Sequence, residues 1–166
     1  MKNNMKLFGI IALAAVIGFS VIACDNGTTG GGLNGTYFSR SGERLVLNNG
    51  TLTLSQNNTE TIRGTYSARG SDITGTVTQL KGSYLNNEGL YMLGLSSSQW
   101  YTQQALRTAI INYFVGQGIP RAQAEAAYNT ELASSINEIY GPFTGTYSAG
   151  TLTLRIFGNY FTYTKQ

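Results

Sequence analysis

Two alternating runs joined by Asn49-Gly50 constrain this chain more than any other feature. Residues 44–48 read Arg-Leu-Val-Leu-Asn and residues 51–55 read Thr-Leu-Thr-Leu-Ser. Asn-Gly between such runs is the strongest short hairpin signal, because a type I′ turn needs positive φ at both central positions. A period of two puts Leu52 and Leu54 on a core face and turns Thr51, Thr53 and Ser55 to water.

The same chemistry recurs along the chain. Residues 61–67 and 72–80 flank Arg69-Gly70-Ser71, and residues 144–148 and 151–157 flank Ala149-Gly150. Gly158-Asn159 then leads into 160–164. With 36–40 the count reaches about eight strands, and Tyr84-Leu85 with 90–93 across Asn87-Glu88-Gly89 predicts one more short hairpin. The sequence also echoes itself. Gly50-Thr51-Leu52-Thr53-Leu54 returns as Gly150-Thr151-Leu152-Thr153-Leu154, and Gly-Thr-Tyr occurs at Gly35-Thr36-Tyr37, Gly64-Thr65-Tyr66 and Gly145-Thr146-Tyr147. A repeated binding element would look like this. Reused hairpin chemistry accounts for it as well, with glycine at the turn, threonine outward and an apolar or aromatic residue inward.

The middle of the chain, about 96–141, loses this alternation. Ser96 with Gln99 matches a capping box. Trp100, Leu106, Ile110 and Tyr113 then lie near one helical face, and Gly116-Gln117-Gly118 stops the helix. Pro120 stands where a second helix would begin. Ala124, Tyr128, Leu132 and Ile136 recur every four residues as an apolar stripe, and Gly141-Pro142 ends it. The expected fold is mainly β: an antiparallel up-and-down barrel of about eight strands, in a single domain over 33–166, with an inserted two-helix hairpin. Closure of such a barrel removes exposed strand edges.

This pattern resembles the lipocalin-like and wider calycin β-barrels. Leu33-Asn34-Gly35-Thr36-Tyr37 sits where lipocalins carry Gly-x-Trp on their first strand, with tyrosine in place of tryptophan. The resemblance implies binding of a small apolar or amphipathic ligand in an open barrel. An eight-stranded barrel can equally have a solid interior.

Few residues offer chemistry. The chain has no histidine, which removes the usual neutral-pH general base and the commonest metal ligand. No Gly-x-Ser-x-Gly elbow or Ser-x-x-Lys follows residue 24. Glu43, Asp72 and Glu88 fall in or beside turns, and Glu125, Glu131 and Glu138 fall on the expected helices away from the stripe, so no spacing pairs two of them for catalysis. The reading is therefore non-enzymatic, with no catalytic residue, cofactor or metal. Arg40, Arg44, Arg63 and Arg69 are spaced like solvated strand residues, which argues against nucleic acid as a partner. The tyrosines suit ligand or protein contacts and suit β packing equally. Tyr160 and Tyr163 are expected on opposite faces of the last strand.

The start of the chain has a different texture. Lys2 and Lys6 precede an uncharged apolar run, 7–23, which ends in Val21-Ile22-Ala23-Cys24. A basic segment, a short apolar run and a small residue are the layout of a cleaved secretory signal rather than of a membrane span, which needs about 20 apolar residues. The ending resembles the lipobox of bacterial lipoproteins. That resemblance implies a signal peptide over 1–23, cleavage between Ala23 and Cys24, and lipid, palmitate among its acyl chains, on Cys24. Two or more chains give stable anchoring where one does not. It also implies a place in the bacterial cell envelope, with Asp25 hinting at the inner membrane in some groups and leaving inner or outer undecided. Residues 24–32 are then a lipidated cysteine and a glycine-rich tether that reaches a few tens of Å at about 3.5 Å per residue. Removing Lys2 and Lys6 takes the formal charge from +3 to +1. Cys24 is the single cysteine, so no disulfide can staple the domain internally.

Two functions fit these features. One is a lipid-anchored module that holds a small apolar ligand in its barrel. The other is a structural or interaction lipoprotein with a solid barrel, which contacts an envelope protein through the helical hairpin.

Overall fold

The computed structural model describes residues 33–85 and 87–166. Ala23, Cys24 and the glycine-rich stretch before Leu33 lie outside the described residues. No described helix is long and apolar enough to cross a membrane. The described chain forms two compact units, one over 33–78 and Gly141–Gln166, the other over Gln79–Tyr140.

The strands are β1 (Gly35–Phe38), β2 (Arg44–Asn48), β3 (Thr51–Gln56), β4 (Thr59–Arg69), β5 (Asp72–Lys81), β6 (Trp100–Tyr101), β7 (Pro142–Ser148), β8 (Thr151–Ile156) and β9 (Asn159–Lys165). Their order is β4-β3-β2-β1-β9-β8-β7-β5, and pairing of β4 with β5 closes an eight-stranded barrel. β6 adds to the end of β5, with Leu80 opposite Tyr101 and Lys81 opposite Trp100. The expected fold is thus the observed one: an antiparallel barrel with a helical segment in the connection between β5 and β7.

Type I′ geometry builds the hairpins. Asn49 and Gly50 have φ of 46° and 82°, and Ala149 and Gly150 have 51° and 79°. Asn57 and Asn58 (49° and 60°) make a third such turn between β3 and β4. The turn before β9 falls on Phe157-Gly158 (54° and 75°), one residue earlier than expected from Gly158-Asn159. The register then pairs Leu47 with Leu52 and Leu45 with Leu54, and Leu152 with Tyr163.

One outward prediction fails in detail. Ser55 is buried rather than turned to water. The register of β3 against β4 shifts between Leu54 and Ser55. The extra residue is Thr61 of β4, between Glu60 opposite Ser55 and Ile62 opposite Leu54, while Ser55 keeps its register with the exposed Arg44 of β2. Nearby, the buried Thr61 hydroxyl donates to the Leu54 carbonyl at 3.2 Å.

The barrel interior is filled. Leu45, Leu47, Leu52, Ile73, Leu152 and Leu154 all point inward and are buried. Tyr37, Phe143 and Tyr163 are buried with them. Each such side chain stabilises the fold by roughly 1.5–3 kcal/mol relative to exposure. Eight strands enclose just enough room for this packing. Glycine completes it: a Cβ on Gly75 would lie 2.2 Å from Phe143 Cζ and 2.4 Å from the Thr65 carbonyl oxygen.

The second unit contains α1 (Asn87–Met92), α2 (Gln103–Gly116), α3 (Arg121–Ala127) and α4 (Ala133–Ile139), with a π-turn over Tyr128–Leu132 joining the last two. The expected hairpin across 84–93 is instead a 3₁₀ turn, Gly82–Tyr84, followed by α1. Gly94 decides this. At φ 63° it closes a Schellman motif, with Leu95 N donating to Leu90 O at 2.8 Å and Gly94 N to Tyr91 O at 3.2 Å.

The helix cap also moves. Thr102, not Ser96, caps α2 by accepting from the Ala105 amide at 3.2 Å. Trp100 therefore lies in β6 and not on the helix. Leu106, Ile110 and Ile111 form the buried face of α2. Gly118 ends the helix at φ 83° with a second Schellman pair, Ile119 N to Phe114 O and Gly118 N to Val115 O. The stripe Ala124, Tyr128, Leu132 and Ile136 is buried throughout. Every fourth position drifts about 40° per step on a 3.6-residue helix. The wider π-turn takes up part of that drift and keeps all four on one side.

Candidate functional site

Three features hold polar or reactive groups in unusual settings: the two ends of the barrel and a groove on the helical unit. The Asn49-Gly50 and Ala149-Gly150 turns mark one end, where the described chain begins at Leu33. The three Gly-Thr-Tyr triplets meet there. Tyr37 packs edge-on against Tyr147, with ring centroids 6.1 Å apart. Its hydroxyl donates to the Leu33 carbonyl. Tyr66 donates to Asn34 Oδ1 at 2.7 Å, and Asn34 exchanges hydrogen bonds with the Asn49 side chain and backbone. Lys165 Nζ sits 5.8 Å over the Tyr37 ring. Burial, with Tyr147 and Tyr66 beside it, pushes the Tyr37 phenol well above its ordinary value.

The glycines of the triplets have steric roles. A Cβ on Gly64 would lie 2.6 Å from the Thr76 carbonyl oxygen, and one on Gly145 would lie 2.4 Å from that of Thr153. Two of the three triplet glycines thus face the backbone of a neighbouring strand, whereas a Cβ on Gly35 would meet only the Lys165 side chain. Gly64 and Gly145 admit the neighbouring strand, and two residues after each triplet glycine a tyrosine lies at the barrel end. Chemically the end is a clamp: its hydroxyls hold Leu33 and Asn34 where the amino-terminal chain enters.

At the opposite end the chain bends through 39–43 between β1 and β2. Glu43 precedes β2 in phase with Leu45 and Leu47, so its side chain turns inward and is only 5% exposed. Its Oε2 is buried with no hydrogen-bond partner among the described residues. Burial raises the carboxyl above its usual range, and the Ser39 and Tyr163 hydroxyls partly oppose this. The sequence reading placed Glu43 beside a turn and missed its inward aim. The signal was its parity with Leu45 and Leu47.

The helical unit carries an open groove of about 780 Å³ whose walls include Met92, Leu95, Ala105 and Tyr113, with no charged residue. Tyr91 nearby is 89% exposed.

Glu60 pairs with Arg63 at 2.7 Å, and Arg121 approaches Glu125 at 3.9 Å on α3. Glu131 and Glu138 are exposed, away from the stripe. No cluster of three metal-ligating side chains occurs among the described residues. Tyr160 is exposed and Tyr163 buried, on opposite faces of β9 as expected. The lipid-attachment and cleavage positions, Cys24 and Ala23, lie outside the described residues. Comparison with known family descriptions, with curated proteins and with solved structures gives no match to this chain.

Proposed function

We propose that this protein is a lipid-anchored lipoprotein of the bacterial cell envelope, non-enzymatic, whose barrel is a solid scaffold. The observation that carries the scaffold reading is the packed interior, where Tyr37, Leu152 and Leu154 are 0% exposed. A ligand-carrying barrel needs an apolar cavity of hundreds of Å³. These side chains occupy the space in which such a ligand would lie. The anchor reading rests on Val21-Ile22-Ala23-Cys24 and on the basic and apolar segments before it.

The clamp at Leu33 and Asn34 suits such a chain. A pull on the tether meets the Tyr37 and Tyr66 hydrogen bonds before it reaches β1. Contacts with an envelope protein fall to outer surfaces. The uncharged groove beside α2, with Tyr91 exposed nearby, suits an apolar or aromatic segment of that partner. Cys24→Ala tests the anchor. Labelling by radioactive palmitate should be lost and the protein should leave the membrane fraction. Labelling that persists in the variant refutes it.

A further inference from the structure

The 39–43 loop is a short bridge with an acid at its inner end. Ser39 N donates to Glu43 O at 3.0 Å, Gly42 N to Ser39 O at 3.2 Å, and Glu43 N to Ser39 Oγ at 3.0 Å. Ser39 Oγ also shares a hydrogen bond with Ser41 Oγ at 2.8 Å. Gly42, at φ 84°, supplies the left-handed residue that the bend requires, and a Cβ there would meet nothing within 4 Å. The loop is therefore tied mainly to itself. Its hold on the barrel interior includes the Glu43 side chain, and that side chain ends in a carboxyl oxygen with no partner among the described residues. A buried polar atom of this kind is costly when neutral and more so when charged.

We propose that the 39–43 loop is a pH-operated latch: neutral Glu43 holds it against the barrel interior, and ionised Glu43 lets it lift into solvent. Tyr163 on β9 is the titratable group that faces Glu43, and Ser39 is the polar group on its own loop. Arg40 and Arg44 flank it in sequence and are exposed. Burial is the leading cause of the raised carboxyl. The folded, latched state therefore binds its proton more tightly than the lifted or unfolded chain does. Latching is fully favourable below the ordinary glutamate value of about 4.3 and weakens as pH rises from there through the raised folded value. Lifting one loop exposes little apolar surface compared with opening the barrel, so the local transition comes first.

Hydrogen exchange on the full chain between pH 4 and pH 8, corrected for intrinsic rates, reads this directly. Protection of the Gly42 and Glu43 amides should fall across the Glu43 titration, roughly tenfold for each unit by which the latched and lifted carboxyl values differ. Amides of β8 should keep their protection. Glu43→Gln should hold the loop closed at every pH. Ser39→Ala should weaken protection at all pH values while keeping its pH dependence. Loop protection that stays constant in the wild-type chain overturns the latch. So does an equal loss with pH in Glu43→Gln, and so does a loss in which β8 opens together with the loop.

Discussion

Gly75 sits where the Phe143 ring crosses β5, and a methyl group there has nowhere to go. The added Cβ would meet that ring at 2.2 Å and the Thr65 backbone at 2.4 Å. Gly158 makes a useful contrast. Its φ is 75° and its surroundings are empty to 4 Å. Alanine at Gly158 should cost about 1–2 kcal/mol through the left-handed backbone alone. Alanine at Gly75 should cost about 3 kcal/mol or more, because the barrel wall itself must shift. Urea unfolding followed by tyrosine near-ultraviolet dichroism measures both, and a Gly75 variant no worse than the Gly158 variant contradicts this packing. Residue-level features were legible where one local rule decides them. Asn49-Gly50 announces its own turn, whereas the inward aim of Glu43 was missed although it shares the parity of Leu45 and Leu47. The role of Gly75 was not legible, since the ring that needs the space is 68 positions away.

At the scale of elements, period-two alternation located all eight barrel strands, because every strand has one face in the core and one in water. Errors fell where another local device overrode the pattern. Ser55 is buried where the register of β3 against β4 shifts. Gly94 closed α1 where a hairpin was expected. Ser96 and Gln99 have the spacing of a capping box, yet Gln99 enters a turn back to Ser96 before β6. Thr102 then caps α2. Thr102→Ala should lower the stability of the helical unit by about 1 kcal/mol. Ser96→Ala should change it by less than about 0.5 kcal/mol, since its hydroxyl contacts are exposed. Trp100 fluorescence during urea unfolding reports on this unit. A larger effect at Ser96 than at Thr102 would return the cap to the position that spacing alone suggests.

At the scale of the whole molecule, the three Gly-Thr-Tyr triplets, the packed interior and the inward Glu43 belong to one barrel with two unlike ends. One end clamps the entering chain through Tyr37 and Tyr66. The other carries the 39–43 loop. The convergence of the triplets was invisible in sequence, because β1, β4 and β7 are brought together only by closure of the sheet. Whether an eight-stranded barrel is hollow was equally illegible, because alternation gives the direction of a side chain and not the space left between side chains. The proposed scaffold carries no ligand. Native mass spectrometry of residues 33–166, followed by titration with a fluorescent fatty acid, tests it most directly. The expected result is the mass of the bare chain and no saturable uptake. A stoichiometric co-purified ligand, or saturable and displaceable fatty-acid binding, would contradict it.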